Sequence, residues 1–175
     1  MRQILPVRHE FLIFAAMEKV LFVCLGNICR SPAAEEVARQ IALERGLDSE
    51  FEFDSASTYG GHAGQLPDNR MRVNARRRGY ELSHRARRIS TSDFFDFDLI
   101  VTMDDANFDD VREMAPSPET EAKVVKMADY ATRHCGIDCI PDPYYDGAEG
   151  FENVLDLLED ACEGLIDSLG LKNRN

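Results

Sequence analysis

The run Val20-Leu21-Phe22-Val23 ends on Cys24, and Arg30 follows six residues later. An ionised thiol is a strong nucleophile, and a guanidinium offers a planar fork that binds two phosphate oxygens at once, which a lysine does not. Between them lie Leu25, Gly26, Asn27, Ile28 and Cys29. Gly26 and Asn27 are the residue types that tolerate the left-handed conformations of a tight curl. A curl of this kind turns successive backbone N–H groups inward, and with the start of a following helix they form a nest for a tetrahedral oxyanion. The same dipoles and Arg30 stabilise a thiolate, so Cys24 is expected to be a nucleophile aimed at the cradled atom. Ser31, next after the arginine, is placed to hydrogen-bond the sulfur. A Cys-x5-Arg spacing alone is weak, but Cys24 is the only one of the five cysteines with arginine six positions on, and its setting is strand, loop and helix.

Cleaving a phosphate monoester also requires a proton for the departing oxygen. Asp142 in CIPDPYYDG is the candidate, its backbone held extended by Pro143. Tyr144 and Tyr145 follow as an aromatic pair that can wall a narrow cleft. By itself an Asp-Pro pair reads first as a turn.

These groups need elements to hold them. VLFVC is the continuous apolar run of a strand covered on both faces. Behind it Ala34, Val37, Ala38 and Ile41 share one face of a helix, with Glu35, Glu36, Arg39 and Gln40 on the other. Ser31 and Pro32 suit its N-cap and first turn, and Gly46 its end. FEFDSAS reads as a second strand and PDNRMRVNARRRG as a helix closed by Gly79. FDFDLIVTM reads as a third strand, and Asp104 caps a helix over DANFDDVREMA that ends at Pro116. AKVVKMADY is the fourth strand. A last helix runs from Phe151 to Leu169 with Gly170 as its stop, and Cys162 on its apolar stripe belongs to the core. Strands alternating with helices indicate a parallel sheet. The expected fold is a single α/β domain with an open four-stranded parallel sheet and helices on both faces, doubly wound and flavodoxin-like. In such sheets ligands bind beyond the carboxyl ends of the strands, where Cys24 lies.

A chain of 175 residues suits one domain with a full core. The formal net charge of -12 argues against nucleic acid and anionic membranes as partners, so an anionic substrate must be attracted locally. The eight arginines between Arg70 and Arg88 have only Tyr80 interleaved with them and read as a solvated helix face bordering the cleft. Five scattered cysteines point to a reduced, cytoplasmic protein. No run of 18 apolar residues is present. Residues 1–16, with the short patch FLIFAA, read as an N-terminal extension without fixed structure, and the domain as residues 17–175.

The stretches VCLGNICRSP at 23–32, DSA at 54–56, SHRARR at 83–88, FDLIVTMDDAN at 97–107 and DPYY at 142–145 follow one another over nearly the whole chain. Together they resemble the low molecular weight protein tyrosine phosphatases. GFENVLDLLEDAC at 150–162 is most similar to the cyanobacterial and plant branches of that family. The resemblance implies a metal-independent protein tyrosine phosphatase without a cofactor, working on phosphotyrosine in proteins through a phosphocysteine. It implies Cys24 as nucleophile, Arg30 as phosphate clamp and Asp142 as general acid, then base. Asn27, Ser31, Ser55 and His84 match positions that brace the loop, and Tyr144 and Tyr145 match cleft-wall residues that some members carry phosphorylated.

Two positions depart from the pattern. Gly61 stands where many members place an aromatic, with Tyr59 and His62 as candidate substitutes, and Asp146 separates DPYY from Gly147. Cys29, in the same loop as Cys24, reads either as a redox partner that shields the nucleophile or as a small packing residue. His134, Cys135 and Cys139 lack a fourth ligand for zinc. An arsenate reductase on the same fold would want resolving cysteines, yet none occurs between Cys29 and Cys135. An inactive phosphotyrosine-binding module would lack the nucleophile or the acid, and both are present. The chain is expected to act as a monomer.

Overall fold

The uninterrupted apolar character of Val20 to Val23 requires a strand with neighbours on both edges and cover on both faces. In the computed structural model, which describes residues 17–172, β1 (Glu18–Cys24) takes that place. It pairs in parallel with β2 (Phe51–Ser57) on one side and β3 (Leu99–Thr102) on the other, and β4 (Val124–Lys126) completes the order β2-β1-β3-β4. The sheet is open, four-stranded and wholly parallel. The expected extension, residues 1–16, lies outside the described residues.

Alternation along β1 divides the core in two. Val20, Phe22 and Cys24 join one cluster with α1 (Arg30–Glu44) and α6 (Ala148–Lys172). Leu21 and Val23 join another with Phe94 from α3 (Asp93–Asp96) and Val111 from α4 (Asp105–Met114). Each fully buried Phe or Leu contributes roughly 2 kcal/mol. Small residues let α1 and α6 approach closely: Ala34, Ala38, Ala161 and Cys162 are buried there, and the Cys162 thiol reaches the Ala34 carbonyl oxygen at 3.6 Å. Gly46 at φ 68° and Gly79 at φ 91° end α1 and α2 (Asn69–Arg77). Each donates its N–H to the last turn, to Leu43 and Arg76 respectively, while Leu47 and Tyr80 bond to the carbonyls of Ala42 and Ala75.

Four local expectations are corrected. Ser31 does not cap α1: Cys29 is the N-cap and the helix begins at Arg30, because the Ser31 hydroxyl is used toward Cys24 and the Ala56 carbonyl. The third strand starts only at Leu99, since Asp93 accepts from Ser90 N–H and Arg87 and opens the short α3, which takes in Phe95 and Asp96. The fourth strand stops at Lys126, and Met127–Tyr130 forms a 3-10 turn. α6 starts at Ala148 and continues through Gly170, a glycine costing only about 1 kcal/mol in a helix already well packed. A further short helix, α5 (Pro118–Glu121), is closed by Ser117 and Thr120.

The arginine-rich stretch is a helix face only in part: Arg70, Arg76 and Arg77 are exposed on α2, and Arg70 borders the cleft, whereas Arg78, Arg85, Arg87 and Arg88 lie outside that helix. α2 ends at Arg77, and Arg78 ion-pairs with Glu152, Asp156 and Glu159 on α6. Beyond it the chain runs as an arm alongside β2, where Ser57 N–H donates to the Arg87 carbonyl and Ile89 N–H to that of Ser57. That arm brings His84 and Arg87 beneath the loop after β1.

Candidate active site

The segment Leu25–Cys29 curls between the end of β1 and the start of α1, as a parallel sheet demands when strand and helix must reverse direction. Asn27 sits at φ 54° at the apex, the only non-glycine residue with positive φ among those described. Asparagine tolerates this region better than most side chains, and here its amide is also fully employed. Nδ2 donates to the hydroxyl oxygens of Ser31 and Ser55 at 2.9 Å each, and Oδ1 accepts from Arg87 N–H at 3.0 Å and faces His84 Nε2 at 3.1 Å. Replacing Asn27 by alanine strips partners from Ser31, Ser55 and Arg87 N–H in a buried setting. We expect a loss of about 3 kcal/mol, read as a lower denaturant midpoint at unchanged slope, together with reduced activity.

The expected site residues converge at this loop. Cys24 is 2% exposed, with its sulfur 3.1 Å from Ser31 Oγ and 3.3 Å from Asn27 N, which donates to it. Arg30 is equally buried, at 2%. Its Nη1 donates to Asp104 Oδ2 and to the Ile140 carbonyl oxygen, and its Nη2 to Asp142 Oδ2 at 2.9 Å. Burial disfavours the guanidinium charge, but Cys24, Asp104 and Asp142 outweigh it, so Arg30 holds its proton more tightly than usual. Asp142 accepts from Tyr144 N–H at 3.1 Å through its other oxygen, a turn that Pro143 favours.

A cavity of about 250 Å³ opens over this loop, lined by Cys24, Leu25, Gly26, Ile28, Cys29 and Arg30 at the base, with Asp142, Tyr144 and Tyr145 on one side and Tyr59 and His62 on the other. Tyr144 and Tyr145 meet edge to face at 5.1 Å, and Tyr145 is 93% exposed at the rim. Arg70 stacks over Tyr144 at 5.3 Å and over Phe151 at 4.8 Å, tying that wall to α6. Gly61 lies under the Tyr59 ring, where a Cβ would collide with it. Tyr59 and His62 thus form the wall opposite the tyrosine pair, and Gly61 leaves the room for Tyr59 to lie back. Cys29 borders the same cavity. Burial first, then Asp68, Cys24 and Asp142, push its thiol well above the ordinary range, against a smaller opposing effect of Arg70.

Three contributors were not anticipated from the sequence. Asp104 both caps α4, accepting from Asn107 N–H at 2.8 Å, and grips Arg30. Glu35, placed by helical spacing on the polar face of α1, is 5% exposed. It accepts from Ser55 Oγ at 2.7 Å and faces His84 Nδ1 at 3.1 Å, so Glu35, Ser55, His84 and Asn27 make one network under the loop. The carbonyl of Ile140 is the third, and backbone atoms carry no sequence signature. For Glu35 the one available signal is the DSA serine, which needs a partner once its strand is buried. Asp54 completes this cluster by accepting from Arg87 and from Ser55 N–H.

Comparison with known proteins agrees with this geometry. The sequence pattern of the low molecular weight phosphotyrosine protein phosphatases matches residues 19–175. A low molecular weight protein-tyrosine-phosphatase sequence from Synechocystis is 47% identical over 87% of this chain and 96% of its own. One from Streptomyces coelicolor is 42% identical over 85% and 91%. A crystal structure of the Entamoeba histolytica protein tyrosine phosphatase superposes with a TM-score of 0.86 at 43% identity, covering 89% of this chain and 98% of that one. The strand-loop-helix cradle, its ordered arginine and the Asp142 loop at the cavity thus belong to a cysteine-dependent phosphatase, and this chain is a member of the low molecular weight phosphotyrosine protein phosphatase family.

Proposed function

We propose that Cys24, Arg30 and Asp142 carry out hydrolysis of phosphotyrosine in proteins by two displacements. The observation that carries this is the meeting of the Cys24 sulfur, the Arg30 fork and the Asp142 carboxylate around one cavity with aromatic walls. In the first step the Cys24 thiolate attacks phosphorus in line while the N–H groups of the loop and Arg30 hold the equatorial oxygens. Asp142 donates its proton to the departing phenolic oxygen. In the second it takes a proton from water, which attacks the phosphocysteine and releases phosphate and the thiolate. Ser31, at 3.1 Å from the sulfur, stabilises the thiolate as it leaves. The depth between Tyr59 and His62 on one side and Tyr144 and Tyr145 on the other favours a long, flat aryl ester over a short alkyl one.

Phosphate release from a phosphotyrosine peptide and from its phosphoserine counterpart, with a chelator present, tests the reading. Turnover confined to phosphotyrosine supports it, and equal turnover of both overturns the substrate class. Asp142→Asn should lower kcat/KM about 100-fold on phenyl phosphate, with a smaller loss on 4-nitrophenyl phosphate, whose leaving group needs less protonation.

We further propose Cys29, which lines the same cavity as Cys24, as the resolving thiol. Peroxide would convert the Cys24 thiolate to a sulfenic acid, and the Cys29 thiol would then displace water from it to form a disulfide. The five unpaired cysteines of the described structure suit a reduced, cytoplasmic setting, and the net charge of -12 disfavours nucleic acid and anionic membranes. No helix of the described residues is long and apolar enough to cross a membrane. We take the working unit to be a monomer, whose cavity is built from one chain.

A further inference from the structure

Asp160, in the middle of α6, is the one carboxylate with no exposure at all among the described residues, and the chemistry above does not use it. It is held by five donors from three consecutive residues of another segment. The backbone N–H groups of Thr132, Arg133 and His134 donate to it at 3.1, 3.0 and 2.7 Å, the Thr132 hydroxyl at 2.9 Å, and His134 Nδ1 lies 2.9 Å away. Burial opposes its charge, yet these bonds hold its carboxyl well below the usual carboxylate range. Successive N–H groups converging on one anion make a nest, and here the anion is supplied by the protein's own helix. One turn further along α6, Gly164 lies against the Tyr130 carbonyl oxygen, where any Cβ would collide with it. Two neighbouring positions of α6 are thus committed to the same turn.

That turn is the start of the loop bearing the general acid. From Thr132–His134 the chain passes to Ile140, whose N–H donates to the Met103 carbonyl and whose carbonyl accepts from Arg30, then to Asp142, and it rejoins α6 at Ala148. The loop therefore leaves from and returns to one helix, with about 18 Å of rigid α6 between residues 148 and 160 as its base. A buried charge is costly unless every bond is made, and adhesion alone is served as well by apolar residues. What the nest adds is a defined position for the backbone. We propose that Asp160 is a positioning residue for the acid loop, fixing its far end so that Asp142 is presented to the leaving oxygen. The inference rests on the proposed role of Asp142.

The test uses the full chain and compares kcat/KM for phenyl phosphate and 4-nitrophenyl phosphate in wild type, Asp160→Asn and Asp142→Asn, with inhibition by inorganic phosphate as a second reading. The carboxamide keeps the size of Asp160 but presents one acceptor to donors that had two. Asp160→Asn is expected to lower kcat/KM about tenfold on phenyl phosphate and less than about twofold on 4-nitrophenyl phosphate, with the phosphate inhibition constant unchanged. Equal losses on the two substrates, or no loss on either, overturn the proposal and leave Asp160 a purely structural anchor. If Asp142→Asn itself falls equally on both substrates, the acid assignment fails, and the role of Asp160 fails with it for that separate reason. Should Asp160→Asn not fold, Thr132→Val removes only the hydroxyl donor. It should give a loss in the same direction of about twofold, confined to phenyl phosphate, and an equal effect on both substrates overturns the proposal.

Discussion

Cys24→Ser is expected to leave the fold and phosphate binding intact while abolishing turnover, by on the order of 10⁴-fold or more. The sulfur sits 3.1 Å from Ser31 Oγ and 3.3 Å from Asn27 N, a setting that an oxygen of smaller radius enters without displacing neighbours. What the oxygen lacks is ionisation: a serine hydroxyl next to this loop remains protonated at neutral pH, and among the described residues the groups bonded to Cys24 are Ser31 Oγ and Asn27 N–H, neither of them a general base. The remaining donors still bind phosphate, so inorganic phosphate should protect the variant against thermal unfolding as it protects the wild type. Acid-quenched wild-type enzyme should carry radiolabelled phosphate after a single turnover and the variant none. Turnover surviving in the variant removes Cys24 from the chemistry.

Arg30→Lys should lower kcat/KM by on the order of 10³-fold although the charge is retained. The guanidinium is fixed from three directions, by Asp104, by the Ile140 carbonyl and by Asp142, and it lines the cavity. An ammonium cannot satisfy those acceptors and hold two phosphate oxygens together. Part of the expected loss is therefore in placing the acid, because Arg30 orients the Asp142 carboxylate. The signature is a fall in both kcat and phosphate affinity, unlike Cys24→Ser, which spares affinity. Competitive inhibition by phosphate separates the two variants, and an unchanged inhibition constant in Arg30→Lys contradicts the clamp.

How much of this was legible follows from sequence separation. The proposed nucleophile, the curl and the arginine are contiguous, so residue type and spacing are enough to suggest their chemistry, and the alternation and helical periods behind them state the α/β class. The proposed acid was less legible: Asp142 meets Arg30 across 112 residues, and Asp-Pro alone reads as a turn until the family pattern is set beside it. Glu35 was misread because helical periodicity reports which face of a helix is apolar, and the face it lies on is covered by Ser55 and by His84 from the extended arm. Gly170 and FDFD misled for the same reason, since local propensity is weak against α6 packing and the Asp93 turn.

By itself, then, the amino-acid sequence determined the parallel sheet, the family and the strand-loop-helix segment that carries Cys24 and Arg30, because those depend on neighbours within a few residues. Only the tertiary structure decided what holds that loop and Asp142 in place. Asp104 on Arg30, the network of Glu35, Ser55, His84 and Asn27, and the nest around Asp160 join residues separated by between 20 and 74 positions. Hydrogen bonds between such distant groups have no period and no spacing, so folding alone brings them within reach.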